Sequence, residues 1–124
     1  MSGNNLLVDT NIIIYTLGGR GELAERTKGC TLFLSVISEI EAFCYKGLTE
    51  KGKQMVKAYV SRCTIIGIED RVKFEAIRLR SDHKLKLPDA IIAAMAVAFD
   101  LILLTADRTF ERVKNELALE QFQV

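Results

Sequence analysis

The sequence alternates short apolar runs with longer segments of helical period. Four runs, at residues 6–8, 32–36, 64–68 and 101–105, are rich in Leu, Ile and Val and predict strands. Continuous apolar runs, without polar alternation, indicate strands that are covered on both faces, as in a parallel sheet. The pattern predicts an α/β fold with a mainly parallel sheet and helices on both sides. Residues 118–124 add a possible edge strand, which makes four or five strands.

The segments between these runs predict helices, with one loose stretch near the start. Helices are expected at residues 11–17, 38–46, 49–62, 69–82, 88–99 and 108–116. Gly18, Gly19 and Gly21 predict a flexible turn, because they form no GxGxxG motif and no P-loop lysine follows them. A length of 124 residues suits one domain, so residues 1–124 are expected to fold as a single unit.

Charge and cysteine content exclude several classes of protein. Seventeen Lys and Arg against sixteen Asp and Glu give a net charge of +1, so no global field indicates a nucleic-acid or membrane partner. Cys30, Cys44 and Cys63 are too widely spaced for a zinc motif and are expected to be reduced. The first residues, MSGNNLLVDT, contain no basic leader and no long apolar segment, which predicts a cytoplasmic location.

Residues 87–106 are mostly apolar and long enough to span a membrane. However, Asp89 and Asp100 would each cost about 2.5–3.5 kcal/mol near the centre of a bilayer. The run is therefore predicted to be a buried helix that ends near Asp100 and is followed by a strand, with no membrane contact.

Acidic residues follow several of the predicted strands. Asp9, Glu41 and Asp107 come after the first, second and fourth runs, and ligands of parallel sheets bind beyond the carboxyl ends of the strands. Asp89 follows Pro88 at the start of an alanine-rich helix, whose beginning is expected to reach the same edge. The sequence therefore predicts that these four carboxylates converge.

Each of these acids also has a purely structural explanation. Asp9 is a suitable helix cap, and Glu41 stands at capping-box spacing from Ser38. Asp89 and Asp107 suit the positive end of a helix. Residue by residue these explanations stay open, but the placement of all four acids at one edge favours a functional site.

Glu39 competes with Glu41 for a place in this site. Residues two apart on a helix point in nearly opposite directions, so one of the two is expected to face the other acids. The buried stripe of this helix is predicted at Ile40, Phe43, Cys44 and Leu48. Glu41 lies nearer to that stripe and is the chosen residue, while the role of Glu39 stays open.

Converging carboxylates require a counterion. At about 5 Å and an effective dielectric constant of about 20, each pair repels by about 3 kcal/mol. Oxygen ligands without a Cys or His cluster favour Mg²⁺ or Mn²⁺. One or two such ions activate water for attack on a phosphodiester, so the pattern indicates metal-dependent phosphoryl chemistry.

Four segments carry a resemblance to a known family. They are VDTNIII at 8–14, SVISEIEAF at 35–43, LPDAIIAAMA at 87–96 and LLTADRTF at 103–110. In this order they resemble the PIN domain, and the most similar group is the VapC-type toxin ribonucleases. The resemblance implies a three-layer α/β/α sandwich that cleaves RNA.

The resemblance also implies roles for individual residues and partners. Asp9, Glu41, Asp89 and Asp107 would be the catalytic Mg²⁺ or Mn²⁺ ligands, supported by Thr10, Asn11 and Thr105. Members of this group commonly form homodimers and are silenced by a cognate antitoxin, often encoded alongside, so both partners are expected here.

RNA binding requires groups near the acids that hold a strand. A basic rim is expected at Arg80, Lys84, Lys86 and Arg108, with a solvated surface as the alternative. Stacking on bases is an open role for Tyr15, Tyr45 and Phe110, with packing in the core as the alternative.

Two further functions fit the sequence less well than a ribonuclease. A phosphoacceptor signalling domain also has an acidic Mg²⁺ pocket at a sheet edge, but it would place paired acids early and a lysine after the last strand. A PIN-like module that binds partners without catalysis is the second alternative, although the presence of all four acids argues against it.

Overall fold

The computed structural model describes residues 4–124. In that range the strands are β1 (Asn5–Val8), β2 (Thr31–Ser35), β3 (Cys63–Ile66), β4 (Ile102–Thr105) and β5 (Ala118–Gln121). The helices are α1 (Thr10–Leu17), α2 (Gly21–Thr27), α3 (Val36–Phe43), α4 (Glu50–Ser61), α5 (Asp70–His83) and α6 (Leu87–Ala98), followed by a short 3₁₀ helix at Arg108–Val113.

The strands form one parallel sheet with the order β3-β2-β1-β4-β5 within residues 4–124. Leu7 of β1 pairs with Phe33 on one side and with Leu103 on the other, so β1 lies at the centre. The chain moves outward in one direction from β1 to β3 and in the other direction through β4 and β5. The predicted α/β fold with a parallel sheet is confirmed, and residues 118–121 form the expected edge strand.

Helices cover both faces of the sheet. Successive residues of a strand point to opposite faces, and β1 follows this rule. Leu7 packs into the layer formed with α5 and α6, whereas Leu6 and Val8 pack against α1, α2 and α4. These three layers form the predicted sandwich, and its two apolar cores meet at the central strands.

The flexible turn predicted at Gly18, Gly19 and Gly21 is only partly correct, because Gly21 begins helix α2. Leu23 packs into the core and is the one buried residue of this helix in the described range. The guanidinium of Arg26 donates to both carboxylate oxygens of Glu120 at 2.7 and 2.8 Å. A tertiary ion pair to a distant strand therefore stabilises a helix that local sequence does not predict.

Helix α3 begins two residues earlier than predicted, because Ser35 caps it by accepting from the Ile37 amide at 3.1 Å. The buried face of α3 also differs from the predicted one. Ser38 and Ala42 face the core, whereas Ile40 is 57% exposed. The predicted buried stripe was therefore wrong at Ile40, and also at Cys44, which is exposed.

The long apolar run at residues 87–106 divides as predicted. Helix α6 ends at Ala98, Asp100 adopts a left-handed backbone conformation (φ 53°), and β4 follows. None of the helices in residues 4–124 has the length and apolarity needed to cross a membrane. The segment predicted as a helix at 108–116 contains the shorter 3₁₀ helix instead.

Candidate active site

The order of the sheet places the ends of β1 and β4 side by side. These two strands are neighbours at the point where the strand order reverses, and open parallel sheets bind ligands beyond such a point. Asp9 follows β1 directly, and its amide donates to the Leu104 carbonyl of β4 at 3.0 Å. The segment after β4 is therefore held against the carboxylate that follows β1.

Asp9 is 6% exposed and is the one buried carboxyl side chain in residues 4–124. Its Oδ1 accepts from the Thr10 amide at 2.9 Å and so caps α1, as the structural explanation expects. Its Oδ2 accepts from the Thr105 hydroxyl at 2.7 Å and from the side-chain amide of Asn11 at 3.1 Å. Capping uses one oxygen, and the other is held toward the sheet edge.

Asn11 and Thr105 also fix the loop that carries Asp107. The Asn11 side-chain oxygen accepts from the Ala106 amide at 2.9 Å, and the Thr105 hydroxyl accepts from the Asp107 amide at 2.9 Å. Both residues contact Asp9 and the loop at once. The distance between Asp9 and Asp107 is thereby determined by short side chains.

Glu41 reaches the same edge from α3. The Thr10 hydroxyl donates to its Oε1 at 2.8 Å, which connects α3 to the start of α1. Because Ser35 caps α3, Glu41 lies in the second turn of the helix, and the capping-box alternative with Ser38 is wrong. Glu39 makes no hydrogen bond or ion pair with any residue in the range 4–124.

Asp107 and Asp89 complete the acidic set. Asp107 caps the 3₁₀ helix by accepting from the Thr109 amide at 2.9 Å. Asp89 lies in the first turn of α6 behind Pro88, is partly buried, and has no hydrogen bond or ion pair with the described residues. Pro88 suits this place because the first turn of a helix needs no internal amide donor.

The four carboxylates of Asp9, Glu41, Asp89 and Asp107 line one cleft of about 440 Å³. Its other walls are formed by Thr10, Asn11, Ile14, Tyr15, Tyr45, Pro88 and Ile92. No lysine or arginine of the described chain lines this cleft, although the protein as a whole is nearly neutral. The negative charge of the acids is therefore not balanced inside the cleft.

The electrostatic cost of this arrangement is visible in two pKa values. Burial raises the pKa of Asp9, and the charges of Asp107 and Glu41 raise it further against the hydrogen bonds from Thr105 and Thr10. Burial and the charge of Asp107 likewise raise the pKa of Asp89, while Lys86 opposes the shift. Both carboxylates would be stabilised by a cation in the cleft.

The donor set fits a hard divalent cation in kind. It offers carboxylate oxygens without sulfur or imidazole, and its members repel one another. Within residues 4–124, however, no three Asp, Glu, His or Cys side chains are arranged so that they hold a metal ion. The expected convergence within a few ångströms is thus not reached. Glu41 is exposed and Asp89 is partly exposed, so both side chains have room to adjust.

The predicted basic rim lies outside the cleft. Arg80, Lys84, Lys86 and Arg108 are exposed, and none of them lines the acidic cleft. Lys86 directly precedes α6 and makes no side-chain hydrogen bond to the start of that helix, but its charge lowers the pKa of Asp89. Arg108 lies 3.9 Å from Glu111, the spacing of a weak surface ion pair.

The predicted aromatic residues occupy different environments. Phe110 is fully buried, so its stacking on RNA is excluded, whereas Tyr15 and Tyr45 line the cleft. The apolar walls Ile14 and Ile92 were missed by the sequence reasoning. Ile92 follows Asp89 by three residues and therefore shares its helix face, a spacing that would have predicted it.

Comparison with known families identifies one match over most of the chain. The family model of the PIN domain matches residues 6–116, a range that includes every acid of the cleft. A comparison with curated proteins gave no match.

Solved structures with the same fold are numerous. One is a toxin-antitoxin complex from Klebsiella pneumoniae, at 27% identity, with 96% of this chain and 99% of that chain covered and a TM-score of 0.76. DNA-bound VapBC from Salmonella typhimurium gives 20% identity, coverage of 94% and 97%, and a TM-score of 0.81. VapBC-1 from nontypeable Haemophilus influenzae is 21% identical, with 94% of this chain and 96% of that chain covered and a TM-score of 0.78.

We expect Asp89→Asn to raise the free energy of unfolding of the metal-free chain at pH 7 by up to about 1 kcal/mol. The change removes a charge that is partly buried and repelled by Asp107 and Glu41. Because folding raises the pKa of Asp89, the gain in the free energy of unfolding is complete at pH values above the raised pKa. It shrinks as the pH falls and vanishes below the ordinary value of 3.8. Urea unfolding in EDTA at several pH values measures it.

Asp70→Asn is the matched control. It removes the same charge from an exposed acid at the start of α5, where Lys73 lies 3.5 Å away. This variant should leave stability unchanged or lower it. A loss of stability in Asp89→Asn at pH 7, or an equal gain in both variants, would contradict the repulsion in the cleft.

Proposed function

The chain belongs to the PIN domain family, and from this premise we propose that it is a divalent-metal-dependent endoribonuclease, the toxin of a toxin-antitoxin pair. The observation that carries the proposal is the buried carboxylate of Asp9 at a cleft with Glu41, Asp89 and Asp107. Burying a carboxylate beside other carboxylates is costly unless a cation joins them. Such an arrangement is typical of a site selected for chemistry.

Asp9, Glu41, Asp89 and Asp107 are the residues that would hold Mg²⁺ or Mn²⁺. A bound divalent cation supplies a more acidic water and positive charge beside the scissile phosphate. The other contributions come from the chain itself. Thr105 and Asn11 hold the Oδ2 atom of Asp9, and the loop contacts of these two residues fix Asp107.

The reaction that fits these groups is hydrolysis of an RNA phosphodiester. The oxygen of water bonds to phosphorus, and a carboxylate of the cleft accepts the proton of the water. The bond from phosphorus to the leaving oxygen breaks, and that oxygen keeps the electron pair and takes up a proton from solvent. Thr10 supports this arrangement by holding Glu41 at the edge of the cleft. Ile14 and Ile92 form apolar walls beside the acids.

The partners of the chain follow from the same proposal. The similar chain from Klebsiella pneumoniae is described as part of a toxin-antitoxin complex, which supports a cognate antitoxin here. Exposed apolar side chains on α5 and α6, Phe74, Ile77 and Leu87, support a homodimer. Action on cellular RNA agrees with the cytoplasmic location expected from the sequence.

The alternatives explain fewer of these features. A phosphoacceptor domain has no use for the acid at the start of α6, and the family match argues against it. A silent partner-binding module does not account for the hydrogen bonds that hold Asp9 at the cleft.

The purified chain is expected to cleave RNA in Mg²⁺ or Mn²⁺, and EDTA should abolish the cleavage. Asp9→Asn should lower the rate by roughly 100-fold or more, because a ligand that stabilises several kcal/mol of charge is lost. Cleavage of a labelled RNA measures both effects. Circular dichroism shows whether the variant stays folded.

Asp82→Asn is the control for this experiment, because Asp82 is exposed on α5 and lies outside the cleft. It should cleave as the wild type does. Undiminished cleavage by a folded Asp9→Asn variant, or cleavage that persists in EDTA, would contradict the proposal.

Co-expression with the product of the adjacent gene tests the proposed partners. We expect a small basic protein to copurify and to suppress cleavage, since the cleft is acidic. Light scattering should give about twice 13.9 kDa for the chain without that partner. A monomer at all concentrations would contradict the dimer, and a neighbouring product that neither binds nor inhibits would contradict the antitoxin assignment.

A further inference from the structure

We propose that the outer surface of helix α4 binds the sugar-phosphate backbone of RNA outside the acidic cleft, so that a long RNA is held at two places on the domain. The inference rests on the proposed nuclease function, which identifies the polyanion as RNA. It goes beyond that function by assigning a second binding surface to residues that take no part in the chemistry.

The cations of the chain are distributed unevenly. Residues 44–68 contain five of the 17 lysines and arginines but only one of the 16 acids, Glu50. The rest of the chain therefore has more acids than cations, although the net charge of the whole is +1. Residues 69–86 are also rich in lysine and arginine, with six, but four acids accompany them. Among the helices of residues 4–124, α4 thus has the largest positive excess.

The cations of α4 are exposed, and most of them have no acidic partner. Lys51 and Lys57, and Lys46 just before the helix, make no hydrogen bond or ion pair with the described residues. Lys53 lies 3.5 Å from Glu50, so the one acid of the segment offsets one of its cations. By contrast, three of the four lysines and arginines of α5 lie beside acids. The charge of α4 is therefore available to a partner.

These cations lie on both sides of the exposed arc of α4. The side chains that the helix buries belong to Val56, Tyr59 and Val60. With 3.6 residues per turn, Lys53 and Lys57 lie on one side of the arc that faces away from the core, and Lys51 lies on the other. Beyond the first turn, the arc between them carries small or uncharged side chains at Gln54, Ala58 and Ser61. A phosphate backbone that lies along the helix therefore has ammonium groups on both sides.

The positive surface continues past the end of α4. Arg62 and Lys28 line one cavity of about 310 Å³, and no acid of the described chain lines it. The guanidinium of Arg62 lies 5.0 Å from the centre of the Tyr59 ring, which fixes its place at the end of the helix. We call the whole set the α4 basic surface; it consists of Lys28, Lys46, Lys51, Lys53, Lys57 and Arg62.

The α4 basic surface begins beside the acidic cleft. Tyr45 lines both the cleft and a groove that includes Gly52 and Met55 of α4, and Lys46 follows Tyr45 directly. An RNA whose phosphate lies at the acids can continue along α4, whose 12 residues extend about 18 Å. Exposed charges more than about 8 Å apart are largely screened at physiological salt. The acids of the cleft therefore do not cancel the attraction of phosphates to the far part of the surface.

The chemistry of this surface suits phosphate. No lysine or arginine of residues 4–124 lines the cleft, so attraction of a polyanion must come from cations elsewhere. Lysine carries a compact charge on a flexible stem and contacts phosphate as a point charge, without requiring one fixed geometry. Such contacts release counterions and bind RNA without reading its sequence. An acidic polypeptide is the competing ligand, and the experiment below distinguishes it from RNA.

Binding of a labelled RNA that is long enough to span both surfaces tests the inference. Asp9→Asn serves as the parent protein, so that the RNA is not consumed. Lys51→Gln with Lys57→Gln removes two charges and keeps polar, helix-compatible side chains. We expect the Kd from fluorescence anisotropy to rise roughly 10-fold or more near physiological salt, and the plot of log K against log salt concentration to become shallower by about 1.4–1.8.

Lys73→Gln with Lys114→Gln is the matched control. It removes two exposed lysines outside the α4 basic surface and gives the same net charge. This control should bind the RNA nearly as tightly as the parent, and circular dichroism shows whether both variants are folded.

Cleavage by the chain with an intact Asp9 separates the α4 basic surface from the cleft. Lys51→Gln with Lys57→Gln should raise KM for the long RNA roughly 10-fold and leave kcat unchanged, because the contacts are made equally in the ground state and the transition state. For a trinucleotide that reaches only the cleft, both constants should stay the same.

Several outcomes would overturn the inference. Undiminished RNA binding after the loss of Lys51 and Lys57, or an equal loss in both double variants, would show that α4 makes no local contact. Poly-glutamate that binds the parent as tightly as RNA, through the same lysines, would favour an acidic protein partner instead. If the wild type cleaves no RNA but binding depends on Lys51 and Lys57, the nuclease is wrong and the second surface stands.

Discussion

The buried carboxylate of Asp9 is the constraint on which the rest of the site depends. A carboxylate removed from water at the end of a central strand is tolerated only if its lone pairs are satisfied. Here the backbone amide of Thr10, the side-chain amide of Asn11 and the hydroxyl of Thr105 satisfy them. These same groups join β1, α1 and β4, so the requirement to satisfy one charge also determines where the neighbouring acids lie.

The acidic cleft shows the usual conflict between stability and function. The pKa values of Asp9 and Asp89 are raised, which means that their ionised forms destabilise the folded chain. Hydrogen bonds to Asp9 oppose this cost, whereas no lysine or arginine of residues 4–124 lines the cleft. The repulsion among these carboxylates is the physical basis for the metal-dependent chemistry proposed above.

The parts of this site that sequence predicts are those determined by topology. Asp9 and Asp107 follow adjacent parallel strands, and a parallel sheet brings such positions together whatever the details of packing. The start of α2 and the cap of α3 were not predictable in this way. Helix α2 contacts the rest of the fold through buried Leu23 and through the ion pair between Arg26 and Glu120, which lie 94 residues apart, and α3 begins at the cap Ser35 rather than at Ser38. Ile40 was misjudged because the predicted stripe followed the large apolar residues, whereas the side chains that α3 buries are the small ones of Ser38 and Ala42.

Thermal unfolding in increasing MnCl₂ tests the central claim most directly, with NaCl at equal ionic strength as the control. A cation that binds the folded state raises its stability by RT ln(1 + [L]/Kd). If the carboxylates form one cation site, the Tm of the wild type rises with millimolar Mn²⁺, and the Tm of Asp9→Asn does not. An unchanged Tm in the wild type, or an equal rise in both proteins, would show that these acids do not form one cation site and would favour a role in partner binding alone.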